Sequence, residues 1–301
     1  MSTKHGKHNT TFILFLLPAL FAFSFVIVIP FLLGIYYSFT DWTAMTGTQV
    51  NWVGLDNYRI IFQDITFLHS FLATLSYAIL NIFFINLVAF GLALLVTNKL
   101  KLVGLYRAAF FLPNLIGGII LGYIWQFIFN NAITAFGSAS GLAFLEVTFL
   151  SNRNLALLAI VVVTTWQMAG YIMMIYVAAI QSAPVELLEA SHIDGATYVQ
   201  RLWHILLPLI APAFTVSMFL TLVRSFQQFD VNFALTAGGP SGMFMGRALL
   251  TTEFLALNIF NTAFSFRELA QGQAKSVIFF LLLTVASLIQ VYYNKRKELE
   301  M

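Results

Sequence analysis

The sequence predicts an all-α polytopic membrane protein with six transmembrane helices. Three observations carry that fold class. Hydrophobic residues make up 60% of the 301 residues and charged ones only 9%, against roughly 25% charged in a soluble domain. The mean hydropathy is +0.87. The apolar residues fall in runs of about 20, the length a helix needs to cross about 30 Å of hydrocarbon. With 15 Lys/Arg and 12 Asp/Glu, the chain cannot coat a soluble globule, and disorder requires low hydrophobicity. Cysteine is absent, which excludes disulfides, thiolate metal sites and a thiol nucleophile. The net charge of +3 is better read by position than as the mark of a nucleic acid or acidic partner.

The first span is expected over 11–37, uncharged, with Pro18 and Pro30 near its ends. It is too long for a signal peptide and lacks a small-residue cleavage site, so it reads as a retained helix. Further spans are expected over 71–97, 108–130, 155–180, 209–229 and 276–293, the fifth interrupted only by Arg224. A seventh apolar stretch, 249–266, holds Glu253, Asn258 and Asn261 and reads as a partly buried outer segment. No repeat or low-complexity tract divides the chain, so 1–301 reads as a single transmembrane domain.

Lys and Arg near helix ends orient the spans. With six spans, one side holds nine of them: Lys4, Lys7, Lys99, Lys101, Arg107, Arg201, Lys295, Arg296 and Lys297. The other holds five: Arg59, Arg153, Arg247, Arg267 and Lys275. The bias places both termini in the cytoplasm, in a multi-pass protein of the cell membrane. A seven-span arrangement would put the basic tail outside.

Catalytic constellations are missing. There is no G-x-x-x-x-G-K-[ST] to cradle ATP phosphates, no H-E-x-x-H and no G-x-S-x-G. The five His are scattered without metal-ligand spacing. The apolar cores of the spans hold no Asp or Glu, which argues against a proton- or sodium-coupled carrier and an intramembrane protease. The chain is expected not to be an enzyme, and to hold neither metal nor cofactor of its own.

The one dense polar motif is the loop 182–208. Pro184 suits the start of a helix, and Glu186 and Glu189 favour its N-terminal end. Leu187, Leu188 and Ile193 share a face, and Gly195 suits the left-handed residue that ends it. A second amphipathic piece follows through Tyr198, Leu202, Ile205 and Leu206 before Pro208 opens span five. The pattern alone gives a helix–turn–helix at the cytoplasmic surface, and equally an ordinary interfacial loop.

The order Glu189-Ala190-Ser191, Asp194-Gly195-Ala196, then Ile205-x-Leu207-Pro208 resembles the "EAA" loop of ABC importer permeases, with Ser191 where Ala is usual. Ser38-Phe39-Thr40-Asp41-Trp42, Val53-Gly54-Leu55-Asp56-Asn57-Tyr58, Arg107 followed by Phe111-Leu112-Pro113, and Gly238-Gly239-Pro240 extend the likeness. Together they resemble maltose-transporter-type sugar permeases over nearly the whole chain, the first of the two permease subunits in particular. The resemblance implies an ABC importer permease fold and a coupling helix, carrying Glu189, Ala190, Asp194, Gly195, Ala196 and Pro208, that docks into a separate ATPase. It implies as partners a second permease subunit, an ATPase pair that binds the ATP, an extracytoplasmic solute-binding protein, and a sugar or oligosaccharide as cargo.

Two polar faces lie inside apolar spans. Thr164, Gln167, Met168 and Tyr171 are spaced i, i+3, i+4, i+7 on span four, and Thr221, Ser225 and Gln228 are spaced i, i+4, i+7 on span five. Gln donates and accepts, and Tyr adds a ring and a hydroxyl, a set suited to a neutral sugar. Plain packing between spans uses the same residue types. The resemblance places these positions at the sugar site of maltose-type permeases, with several residue types different. Arg224 lies about 24 Å along its helix from Pro208, where it snorkels outward, pairs with Asp230, or meets the solute. The expected function is an ATP-driven sugar importer's permease. The rivals are an importer of a glycerol-phosphate-type solute and a membrane-embedded transferase, whose carboxylate cluster is not found.

Overall fold

The computed structural model describes residues 3–45, 50–98 and 101–300. Lys99, counted above among the inner basic residues, lies outside them, as do the side chains of Lys4, Lys7 and Lys297.

Helix α1 (Thr3–Phe23) passes through a π turn, Ser24–Val28, into α2 (Ile29–Tyr37). Pro30 cannot donate to the helical ladder, and the wider turn just upstream carries the helix past it. Next come α3 (Asp56–Gln63), α4 (Ile65–Thr97) and α5 (Val103–Phe111). A 3₁₀ turn, Leu112–Leu115, precedes α6 (Gly118–Phe127). A π turn, Ile128–Ala132, joins α6 to α7 (Ile133–Ser140). Helix α8 (Arg153–Gln181) is capped by Asn152, whose Oδ1 accepts from the amides of Asn154 and Leu155. The loop helices are α9 (Val185–Ile193) and α10 (Tyr198–Arg201), the latter running through a π turn into α11 (Leu207–Leu209). Then follow α12 (Ala211–Phe226) and α13 (Asp230–Thr236). Strands β1 (Ser241–Phe244) and β2 (Arg247–Leu250) pair antiparallel, with Phe244 opposite Arg247. Met245 and Gly246 turn the hairpin with φ of 46° and 78°, the two positive values a type I′ turn requires. Helix α14 (Leu255–Phe260), a π turn, and α15 (Leu269–Glu300) complete the chain.

Among the described residues, five helices are long and apolar enough to cross a membrane: Phe12–Tyr37, Ile65–Thr97, Gly118–Ser140, Arg153–Gln181 and Leu269–Arg296. A sixth arises if Tyr198–Leu209 and Ala211–Phe226, bent by 69°, count as one. The fold class is as expected, but two spans differ. The third starts at Gly118, not 108, because Pro113 and Gly117 break the run; one Asn114 among apolar neighbours barely lowers the hydropathy there. The fifth bends at Ile210, between Pro208 and Pro212. The stretch 249–266 is divided among the end of β2, α14 and a π turn, and forms no span.

Contacts group the chain into Met1–Asp64 with Ile259–Phe280, and Ile65–Asn258 with Leu281–Met301. In the first unit, Asn57 Nδ2 donates to the carbonyls of Ser38 and Thr40, each at 2.8 Å. Asn51 donates to both carboxylate oxygens of Asp41 and holds that carboxyl below its ordinary value. Lys275, buried, bonds Asp64 Oδ2 at 3.3 Å and Thr262 Oγ1 at 2.9 Å.

The second unit is built on α4 against α8. Ala73, Tyr77, Ile85, Ala89, Ala93 and Val96 form a buried stripe on α4, facing Ala156, Ile160, Val163, Ala169, Ile172, Met173 and Tyr176 on α8. In lipid, helices associate by close packing and interhelical hydrogen bonds rather than by escape from water. The alanines supply the close approach. The bonds form a ladder from α4 to α8 and α12. Thr164 Oγ1 donates to Asn81 Oδ1 at 2.8 Å, and Asn81 Nδ2 to Ser225 Oγ at 2.9 Å. Asn86 Nδ2 donates to Thr221 Oγ1 at 3.2 Å, and Tyr176 OH to Asn86 Oδ1 at 2.7 Å. Such bonds contribute about 0.6 kcal/mol each on average.

Candidate functional site: a polar cavity at a helix break, and a surface helix–turn–helix

Helix α12 ends at Phe226 and α13 begins at Asp230, leaving a non-helical step over Gln227, Gln228 and Phe229. Backbone of this kind at membrane depth is tolerated where it lines a protein-enclosed or wet cavity. Here a polar cavity of about 320 Å³ opens at the step. Its lining comes from α4 (Asn81), the α5–α6 link (Asn114, Gly118), α8 (Thr164, Gln167, Met168) and the break itself (Arg224, Gln227, Gln228, Phe229, Asp230, Val231).

The lining residues divide by what their polar atoms already do. Thr164 and Asn81 bond each other. Asn114 Nδ2 points at Met168 Sδ, 3.2 Å away. Gln167 Nε2 donates to the Ile116 carbonyl at 3.0 Å, satisfying backbone freed where the 3₁₀ turn gives way to α6. By contrast, the side chains of Arg224, Gln227, Gln228 and Asp230 have no hydrogen-bond or ion-pair partner among the described residues. Four unspent polar side chains from seven consecutive residues therefore face one cavity. They offer guanidinium and amide donors and amide and carboxylate acceptors.

The residues expected to bind a solute separate accordingly. Thr164, Gln167 and Gln228 line the cavity. Thr221 and Ser225 are fully buried against α4, their hydroxyls taken by Asn86 and Asn81, so they hold helices together instead of facing open space. Tyr171 lines a separate, largely apolar groove with Arg107, Ala108, Phe111, Met174, Ile175 and Ala178. Gly170 explains the separation. A Cβ there would lie 1.8 Å from the Phe110 carbonyl oxygen, so the chain at Phe110–Phe111 crosses α8 directly against it. That crossing sits between Tyr171 and the cavity. Arg224 neither pairs with Asp230 within 4 Å nor turns away: both line the cavity. Sequence reasoning missed Asn81, Asn114, Gln227 and Asp230 as lining residues. Two amides inside the otherwise apolar span two, Asn81 and Asn86, were the available signal.

The second site is the loop 182–208. Helix α9 ends in a Schellman motif: Gly195 has φ +77°, its amide bonds the His192 carbonyl at 3.2 Å, and the Ala196 amide bonds the Ser191 carbonyl at 3.0 Å. Thr197 and Gln200 then form a capping box that starts α10. Glu189, Ala190 and Asp194 are exposed, as are the apolar Val185, Leu187 and Ile193. Ser191 is the buried residue of α9, its hydroxyl returned to the Leu188 carbonyl, so the hydroxyl changes nothing on the outer face. Ala196 and Pro208 are half-buried at the turn and before the bend. The outer face of α9 is thus an exposed apolar surface flanked by acids.

The family model described as "Binding-protein-dependent transport system inner membrane component" matches residues 102–299. The chain is 46% identical over 298 residues, 99% of its length and 98% of the relative's, to the probable starch degradation products transport system permease protein AmyD of Thermoanaerobacterium thermosulfurigenes. It is 31% identical over 269 residues, 89% of its length and 90% of the relative's, to the multiple sugar-binding transport system permease protein MsmF of Streptococcus mutans. Among solved structures, a chain of a bacterial ABC transporter involved in the import of the acidic polysaccharide alginate superimposes with a TM-score of 0.81 at 22% identity, covering 97% of this chain and 98% of that one.

Proposed function

Because the chain belongs to the family of binding-protein-dependent transport system inner membrane components, a permease of the ABC importer fold and not an enzyme, we propose that it carries a sugar or oligosaccharide through the cavity at the α12–α13 break. The observation that carries this reading is the set of four unpaired polar side chains, Arg224, Gln227, Gln228 and Asp230, gathered where α12 ends and α13 begins. Discontinuous helices that gather polar groups at membrane depth form solute sites in transporters. The 46% and 31% identical relatives, whose names specify starch degradation products and multiple sugars, support a saccharide. The cavity walls hold a single cation beside a carboxylate, which favours a neutral polyhydroxyl ligand over a glycerol phosphate.

In this reading the chain is one transmembrane permease domain of a heterodimer with a second permease. Both termini lie in the cytoplasm and Gly238-Gly239-Pro240 outside, where a solute-binding protein delivers the cargo. Helix α9 seats its exposed face in a cleft of the ATPase pair, and ATP-driven closure of that pair moves α9 and, through Pro208, the bent fifth span. Glu189, Ala190, Asp194, Gly195, Ala196 and Pro208 form that lever. Gln167 and Gln228 meet the solute in the cavity, and Thr164, buried with its hydroxyl bonded to Asn81, supports the wall behind them. Tyr171 lies on the groove beyond the Phe110 crossing, as the surface a solute would meet next, while Thr221 and Ser225 hold α12 in place beside the site.

The test is uptake against solute concentration for Gln167→Ala and Gln228→Ala at matched expression. Each lost hydrogen bond costs about 0.5–1.5 kcal/mol, about two- to twelvefold in affinity, with basal ATPase retained. Unchanged uptake curves in both would remove the cavity from the pathway.

A further inference from the structure

The two ionisable side chains that line the cavity are Arg224 and Asp230, six residues apart across the break. They do not neutralise each other by contact: no ion pair within 4 Å joins them, and neither has another partner among the described residues. A guanidinium with its donor fork unspent and a carboxylate with its acceptors unspent are both expensive inside a membrane protein unless water or a ligand serves them. Resting on the reading that this cavity holds the solute, we infer that Arg224 and Asp230 set the charge class of what is admitted, and that Asp230 is the residue that rejects acidic sugars.

The chemistry is complementary. A pair of neighbouring sugar hydroxyls accepts from the guanidinium with one oxygen and donates to the carboxylate with the other, so a neutral saccharide uses both residues at once. A uronate gains from Arg224 but meets Asp230 as a like charge; both side chains are exposed to the cavity's opening, so the effect is sensitive to salt. The wall is formally neutral as built. Removing Asp230's charge leaves a net cation, the wall that an acidic oligosaccharide requires. Gly118 leaves the room that Asp230 occupies: a Cβ at Gly118 would lie 2.6 Å from Asp230 Cβ and 3.1 Å from its Oδ2. Any larger residue at Gly118 displaces the carboxylate without altering its charge.

The experiment is equilibrium binding of labelled maltotriose and labelled trigalacturonate to the purified transporter assembly without its solute-binding protein, so that delivery does not filter the ligands. Wild type is expected to prefer maltotriose. Asp230→Asn should shift the ratio toward trigalacturonate by about tenfold or more at low ionic strength, with the shift shrinking as salt screens the charge. Arg224→Gln should weaken maltotriose and lower trigalacturonate further, and Arg224→Gln/Asp230→Asn should return the ratio toward wild type. Gly118→Ala, which keeps both charges, should weaken maltotriose while leaving the salt dependence of the ratio in place. An Asp230→Asn assembly that binds maltotriose with an unchanged ratio overturns the inference while leaving the cavity as the solute site. Saccharide binding that is indifferent to Gln228→Ala as well as to both charged positions overturns the site itself, and the inference with it.

Discussion

Replacing Gly170 by alanine should loosen the second unit, and the same replacement at Gly91 should tighten it. At Gly170 a Cβ would fall 1.8 Å from the Phe110 carbonyl oxygen, 2.4 Å from its carbon and 2.9 Å from the Phe111 nitrogen. All three are backbone atoms, so no rotamer change relieves the clash; α5 and the turn beyond it must move away from α8. Overpacking of this kind costs about 1–3 kcal/mol. At Gly91, inside α4, a Cβ meets nothing within 4 Å, and alanine in a helix interior is favoured over glycine by about 0.5–1 kcal/mol. The two substitutions add the same methyl group to neighbouring helices and should move stability in opposite directions. The assay is denaturant unfolding of the purified protein in mixed micelles, read by helical circular dichroism. A midpoint that falls for Gly170→Ala and holds or rises for Gly91→Ala is expected. Equal shifts of the same sign would refute the crossing at Gly170, and with it the reason given for Tyr171 lying apart from the cavity. Moving the crossing should also expose Asn114 and Met168, so uptake should fall in Gly170→Ala more than its stability loss explains.

The coupling turn gives a second test. Proline at Gly195 would need φ near −65° where the chain has +77°, and Glu189→Lys reverses an exposed charge on α9; both should leave protein in the membrane yet abolish solute-stimulated ATPase, and normal stimulation in both would end the docking role. For topology, Ser241→Cys in this cysteine-free chain should react with an impermeant thiol reagent from outside; labelling from the cytoplasmic side alone would invert the orientation. In the first unit, Lys275→Met removes the ion pair to Asp64, itself a quarter exposed, and the bond to Thr262, and should cost about 1–3 kcal/mol, below the range for fully buried pairs; an unchanged unfolding midpoint would show that the pair contributes nothing. Asp41, held below the ordinary carboxylate value by Asn51, contributes stability that is present above its unfolded value and is lost as pH falls through its folded value; Asn51→Ala should raise its titration midpoint toward the usual range in a carbonyl-carbon NMR titration, and an unmoved midpoint would exclude Asn51 as the cause.

Apolar run length was enough to locate four of the spans, because crossing hydrocarbon demands it whatever the helices pack against. The loop 182–208 was legible down to its turn, since Gly195 and the capping residues act locally. Breaks inside apolar runs were not. The link at Pro113–Gly117 divides helices inside a run that stays mostly apolar, so the third span begins ten residues later than expected, and the polar step at Gln227–Phe229 is non-helical where the spacing predicts a helical face. Helical spacing places Thr221 and Ser225 on the α12 face turned toward α4, but Gln228 lies beyond the end of that helix. It could not tell that α4 covers that side near Thr221 and Ser225 and leaves it open at Gln228. That depends on Asn81 and Asn86, which come from another helix far away in sequence. Tyr171 lines a different groove from Thr164 for a similar reason: the backbone of α5 packs against α8 at Gly170, which the spacing along α8 does not reveal.

The most direct measurement is ATP-driven uptake of labelled malto-oligosaccharide by proteoliposomes holding this permease with its partner permease, ATPase pair and solute-binding protein. The account predicts accumulation that requires ATP and the binding protein, and that falls about two- to twelvefold in apparent affinity when Gln228 is replaced by alanine. Accumulation that proceeds without the binding protein, or that is indifferent to Gln228, Arg224 and Asp230 alike, would contradict it.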